Sequence, residues 1–284
     1  MKYRKWLDKH ILNLNNKKII ITGANSGLGY ECCRALLYKG ATIIMACRNM
    51  VKANIAKDNL IKEFPNSNIY IKELDLSSFN SIENFVSSLN LNDIDILINN
   101  AGVYHPKKGS KTQEGIDLTI GTNYFGMYYL NKLIENKKPN NKIKIINVSS
   151  ITSRYASLNL DEFNDGYAKS KLAIASYTLA KQQEGKYNYY LTHPGISATN
   201  IIQNFSSLFQ KIGSKFMKIF FHSPQKACLS ILAPLSDIKS SDFGPRFLQI
   251  SGYPKKIKNT RRQIKLSKDI ILKTELYLER IKIK

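Results

Sequence analysis

A run of β-branched residues, Ile19-Ile20-Ile21, leads directly into Thr22-Gly23-Ala24-Asn25-Ser26-Gly27-Leu28-Gly29, and no other stretch constrains the fold as much. An uninterrupted apolar run of this kind reads as a strand buried on both faces. Beyond the glycines, Leu28, Cys32, Ala35 and Leu36 recur at helical spacing until Lys39-Gly40. Strand, glycine-rich turn and helix, in that order, present backbone N–H groups and a helix N-terminus to a pyrophosphate. The glycines permit a tight turn and a close approach of backbone to ligand. Thr22, Gly23, Asn25, Ser26, Gly27, Leu28 and Gly29 are therefore candidate cofactor contacts.

The alternation continues along the chain. A second strand, residues 41–46, ends in Cys47-Arg48-Asn49. A site specific for NAD places a carboxylate there for the ribose 2′-hydroxyl. Arg48 instead offers a fork of donors suited to a 2′-phosphate, so NADP(H) is expected over NAD(H). Residues 50–63 read as a helix, and Ile69-Tyr70-Ile71 as a third strand closed by Glu73-Leu74-Asp75-Leu76. Asp75 is placed for the adenine amino group, with Leu76 beside it. A helix over 77–89 and a strand over 94–98 precede Asn99-Asn100-Ala101-Gly102, a small polar turn in which Asn100, Ala101 and Gly102 leave room for a ligand. A long helix follows, roughly 113–135. Strands over 143–148 and 187–192 lead to the serines at 149–150 and to His193-Pro194-Gly195, and a strand over 247–250 completes the sheet. The pattern predicts a single-domain, Rossmann-type doubly wound parallel sheet of about seven strands with helices on both faces. Its expected limits are 17–253, between an N-terminal extension (1–16) and a basic helical tail (254–284).

Tyr167 and Lys171 lie four residues apart in a helical segment and so share one face. An ammonium beside a phenol favours the phenolate and is expected to lower the tyrosine pKa from near ~10. The pair is then a poised proton donor. A hydroxyl at Ser149 or Ser150, at the end of the preceding strand, is placed to hold a carbonyl oxygen. Asn123 falls inside the long helix, where asparagine is unfavourable. It is expected either to bond a neighbouring loop or to hold an ordered water.

Taken together and in order, these motifs resemble the short-chain dehydrogenase/reductase family over about residues 16–253. The wording of the glycine turn, Ala46-Cys47-Arg48-Asn49 and Ser251-Gly252-Tyr253-Pro254 are most similar to its retinol-dehydrogenase and protochlorophyllide-reductase-like members. The resemblance implies Tyr167 as general acid/base and Lys171 as the group that lowers its pKa and bonds the nicotinamide ribose. It implies Ser150 as the substrate-orienting hydroxyl and Asn123 as support for a water-mediated proton relay. Pro194, Gly195, the Ser197 backbone and Thr199 would fix the nicotinamide end. Ser150 precedes Tyr167 by 17 positions, more than in compact members, which leaves Ser149 as the alternative serine. Asp165-Gly166 just before Tyr167 suggests an irregular helix start.

Phe205, Leu208, Phe209, Ile212, Phe216 and Met217 make residues 200–222 an apolar segment. It reads as a substrate lid admitting a small apolar carbonyl or alcohol, or as helices packing on the core or on a second subunit in a homo-oligomer. The formal charge is +22, from 43 Lys and Arg against 21 Asp and Glu. With no aromatic-interleaved basic groove, a lysine-rich surface is favoured and no specific nucleic acid is expected. A non-catalytic NADP(H)-binding regulator or nucleic-acid-associated protein is the alternative. From Pro254 to Lys284 there are 11 Lys and Arg and three acids, with apolar residues at rough helical spacing. Docking of this tail on the domain is favoured over peripheral contact with a membrane surface. The four cysteines have neither metal nor disulfide spacing, and a cytoplasmic protein with no metal is expected.

Overall fold

The structure, a computed structural model, describes residues 3–137, 143–195, 223–247 and 251–282. Eight strands form one sheet in the order β3-β2-β1-β4-β5-β6-β7-β8. They are β1 (Lys18–Thr22), β2 (Thr42–Cys47), β3 (Ile69–Glu73), β4 (Ile96–Asn99), β5 (Lys144–Val148), β6 (Asn188–Thr192), β7 (Asp242–Phe247) and β8 (Ser251–Lys256). The first seven are parallel, and β8 returns antiparallel on β7. The central strands alternate between no faces: Ile19, Ile20 and Ile21 are all fully buried, as both-sided cover requires.

Helices cover the two faces. On one side lie α1 (Tyr3–His10), α2 (Gly27–Tyr38), α3 (Met50–Glu63) and α7 (Pro224–Leu232), packed through Trp6, Leu36, Ala53 and Leu229. On the other lie α4 (Phe79–Ser87), α5 (118–137), α6 (Tyr167–Glu184) and α9 (Ile270–Lys282), packed through Phe85, Tyr124, Ile174 and Leu278. The short α8 (Arg261–Ser267) packs on α6. The N-terminal arm is part of the first core, since Trp6, Leu7 and Ile11 are buried. The basic C-terminal segment likewise docks: Thr274 bonds the Tyr124 hydroxyl at 2.6 Å, and Lys132 pairs with Glu275 at 2.7 Å.

The structure differs from the sequence reading at three places. The expected strand over 247–250 is replaced by the hairpin of β7 and β8, with 248–250 outside the described residues. Within it, Pro245 and Pro254 face each other across the hairpin at a register shift. Neither proline has an N–H to donate, and pairing them at an irregular site costs no ladder bond. The long helix begins at Leu118, and its Gly121–Gly126 stretch is a π-helical turn. The helix bearing Tyr167 is regular and starts at that residue. Gly166, with φ 141° and ψ 139°, makes the sharp entry, while the Asp165 carboxylate accepts the Ile120 N–H at 3.0 Å.

Candidate active site

Between β1 and β4 the strand order reverses, and the carboxyl ends of strands at such a point are where folds of this class bind ligands. Thr22 and Asn100 stitch the floor there. The Thr22 hydroxyl accepts the N–H groups of Asn100 (3.0 Å) and Ala101 (2.9 Å), and Asn100 Nδ2 donates to the Thr22 carbonyl at 2.9 Å. A Cβ added at Gly29 would lie 2.4 Å from the Gly23 carbonyl oxygen, so glycine is required for α2 to begin this close to the turn. Gly27, at φ +55°, faces open space. Ser26 occupies the N-cap of α2 but its side chain caps nothing, and no acid sits in the first turn. The helix N-terminus is thus uncapped, and its amides and dipole suit an anion. Asn25 and Leu28 flank this opening. The cradle fits the pyrophosphate of a dinucleotide.

Farther along the same edge, Arg48 follows β2 and Asp75 lies just beyond β3. Arg48 Nη1 lies 3.9 Å from Asp75 Oδ2, and the arginine side chain remains 61% exposed. Asp75 Oδ1 is already held by the Ser77 N–H (2.9 Å) and hydroxyl (2.6 Å). Beside it, Gly126 lets α5 approach the Leu76 carbonyl, where any Cβ would collide at 2.1 Å.

Asn123 lies in the π-helical turn and is buried. Its Oδ1 accepts the Val103 N–H at 2.7 Å, and its Nδ2 donates to the Val103 carbonyl and to Ser170 Oγ, both at 3.0 Å. Of its two expected uses, the structure shows the bond to a neighbouring loop. Both amide protons are spent on protein. Gly102 sits between Asn123 and Lys171: a Cβ there would be 3.1 Å from Asn123 Oδ1 and 3.7 Å from Lys171 Nζ.

The two serines have separate work. Ser149 Oγ donates to the Lys171 carbonyl at 2.7 Å and is buried. Ser150 Oγ accepts from the Thr152 N–H (3.3 Å) and the Thr152 hydroxyl (3.0 Å). The neighbouring Ser150 hydroxyl favours the Tyr167 phenolate, but burial outweighs it and pushes Tyr167 up to about 12.

Lys171 is anchored on the strand beneath the site. Its Nζ donates to the Val148 carbonyl at 2.9 Å and lies 5.6 Å from the centre of the Tyr167 ring. Burial pulls the ammonium down to about 8. The expected lowering of the tyrosine pKa by Lys171 is therefore not found in the protein alone, because desolvation governs both groups.

Three neighbours escaped the sequence reading. Tyr104 packs edge-on against Tyr167, with ring centres 4.8 Å apart. Ser170 joins Asn123 to the carbonyl of Tyr167. Asn99 bonds Asn131 and Asn147 at 2.8 Å each, forming a buried polar row under the site. No periodicity marks such residues; only an asparagine ending an otherwise apolar strand hints at the last. Pro194 and Gly195 follow β6, with the Gly195 N–H on His193 Nδ1 at 3.3 Å. Ser197, Thr199 and the expected lid over 200–222 lie outside the described residues.

Residues 17–207 match the short chain dehydrogenase family. The chain belongs to that family. It is 34% identical to mouse retinol dehydrogenase 14 over 212 residues, covering 66% of this chain and 63% of that protein, just under two thirds of its length. It is 31% identical to human retinol dehydrogenase 12 over 251 residues, covering 81% and 79%. A solved structure of a putative uncharacterized protein from Mycobacterium paratuberculosis superposes with a TM-score of 0.72 at 26% identity, covering 95% of each chain. These relatives place the family member in the retinol-dehydrogenase-like group. Among the described residues no helix is long and apolar enough to cross a membrane.

Proposed function

We propose that this chain is an NADP(H)-dependent oxidoreductase that interconverts a small apolar carbonyl compound and its alcohol. The observation that carries the reading is the grouping at the end of β5: the Ser150 hydroxyl held by Thr152, and the buried Lys171 amine anchored on Val148 and 5.6 Å from the centre of the Tyr167 ring. A binding module has no use for a part-buried phenol set beside a serine hydroxyl and a buried amine. The retinol dehydrogenases among its relatives support an apolar substrate.

The uncapped start of α2 and the Thr22–Asn100 floor would hold the dinucleotide, Arg48 its 2′-phosphate and Asp75 the adenine. When bound, the nicotinamide supplies or accepts the hydride. Tyr167 gives its proton to the carbonyl oxygen as the alkoxide forms, or removes it from the alcohol in reverse. Ser150 orients that oxygen and stabilises the phenolate left behind. Lys171, anchored on Val148, adds positive charge to a desolvated site and is placed beside Gly102 for a ribose. Asn123 fixes the Val103 loop against α6, where its side chain bonds Val103 and Ser170. Pro194, Gly195, Ser197 and Thr199 would set the nicotinamide face.

The test is reduction of aromatic and polyene aldehydes with NADPH by the full chain. Tyr167→Phe should abolish turnover while NADPH still binds. Turnover retained in that variant would remove Tyr167 from the chemistry.

A further inference from the structure

We propose that Gln263 and Ser153 are positioning residues, through which the C-terminal segment holds the turn that aims Ser150; this rests on the reading of Ser150 given above. The turn is a single 3-10 turn, Ile151–Arg154, with Ser150 at its N-cap. Ser150 depends on it twice: its carbonyl accepts the Ser153 N–H at 3.1 Å, and its hydroxyl is oriented by Thr152. So short a turn has little stability of its own.

The support comes from far along the chain. Gln263 Nε2 donates to Ser153 Oγ at 3.2 Å, and both residues are buried. The orientation of that amide is fixed independently. Gln263 Oε1 accepts the Thr260 N–H at 2.7 Å and the Thr260 hydroxyl at 3.0 Å, closing a capping box at the start of α8. Only the nitrogen end is left to face Ser153. Two further links flank the first. The Arg262 guanidinium donates to the Tyr155 carbonyl at 3.4 Å and to the Ala156 carbonyl, and Arg154 Nη1 donates to the Lys258 carbonyl at 2.8 Å. Both segments thus donate to each other's backbone around one buried side-chain bond. The arginine links are exposed and exchange with water; the buried bond sets the geometry. The path runs from the α8 capping box through Gln263 to Ser153, then to Ser150 and the phenol.

Ser153→Ala cuts the path and leaves the capping box intact; Gln263→Met cuts it from the other side. At saturating NADPH and an aromatic aldehyde, each is expected to lower kcat about tenfold, because sub-ångström displacement of a reacting group is costly. The KM for NADPH should not move. The double variant should be no slower than the worse single, and Ser153→Thr should restore kcat. Amide hydrogen exchange over 151–156 should speed up in both singles. Full kcat per folded molecule in Ser153→Ala with unaltered exchange, or additive losses in the double variant, would overturn the proposal. Ser150→Ala separates the two readings. If Ser150→Ala is inactive while Ser153→Ala is fully active, the site reading stands and the brace alone fails. If Ser150→Ala keeps turnover, both fall.

Discussion

Lys171 Nζ donates to the Val148 carbonyl at 2.9 Å, which anchors the buried amine on the strand leading into Ser150 rather than on the Tyr167 phenol. The ammonium loses solvation without gaining a carboxylate, and burial alone holds it down at about 8. This has a consequence for stability. Between about 8 and ~10.4, the unfolded lysine keeps its proton and the folded one has released it. Unfolding therefore takes up a proton in that window, so stability should rise with pH across it. The gain attributable to this group is on the order of 3 kcal/mol. Lys171→Met should flatten that part of the stability profile in urea titrations at successive pH values, and should also abolish turnover. A profile unchanged by the substitution would show that the amine is solvated.

Arg48 is mostly exposed and only loosely paired with Asp75. Its service to a 2′-phosphate would be electrostatic and open to salt. Arg48→Ala should raise the KM for NADPH about tenfold while leaving that for NADH unchanged. The NADPH preference of the parent protein should shrink between 50 and 500 mM salt, roughly as the Debye length shortens. Equal KM values for NADPH in the two proteins would refute the assignment.

Asn123 makes three hydrogen bonds inside the protein. Asn123→Ala removes the partner of the part-buried N–H and carbonyl of Val103, at a cost of about 1–3 kcal/mol in stability. Activity should fall further than stability, since Gly102 lies between this side chain and the Lys171 amine. Parallel measurement of the urea midpoint and of kcat at a temperature where the variant is folded checks both statements.

The glycines of the first turn should respond unequally. Gly29→Ala drives a Cβ into the Gly23 carbonyl, which is backbone, and into Asn100 Nδ2, which is held by its bond to the Thr22 carbonyl. A loss of about 1–3 kcal/mol, with NADPH binding weakened at least tenfold, is expected. Gly27→Ala meets no atom and costs only the strain of a left-handed alanine, about 1 kcal/mol. Thermal melts and fluorescence titration with NADPH distinguish the two cases.

Much of the site was legible because strand-to-helix turns carry local signals. Ile19-Ile20-Ile21 could only be a buried strand, and the turn after it had to be glycine-rich for α2 to start 2.4 Å from a carbonyl at the Gly29 Cβ position. Tyr167 and Lys171 announced themselves by helical spacing, and Asn123 by its poor fit to a helix. The amino-acid sequence by itself determined the strand–helix alternation, the family and the cast of the site, since each follows from periodicity or from residue chemistry over a few positions. Only the tertiary structure decided that the Ser149 hydroxyl is spent on the Lys171 carbonyl, which partner the Lys171 amine takes, and that Gln263 reaches Ser153. Those outcomes depend on contacts between residues 22 to 110 positions apart and on how burial weighs one charge against another, and neither quantity is written in any local stretch of sequence.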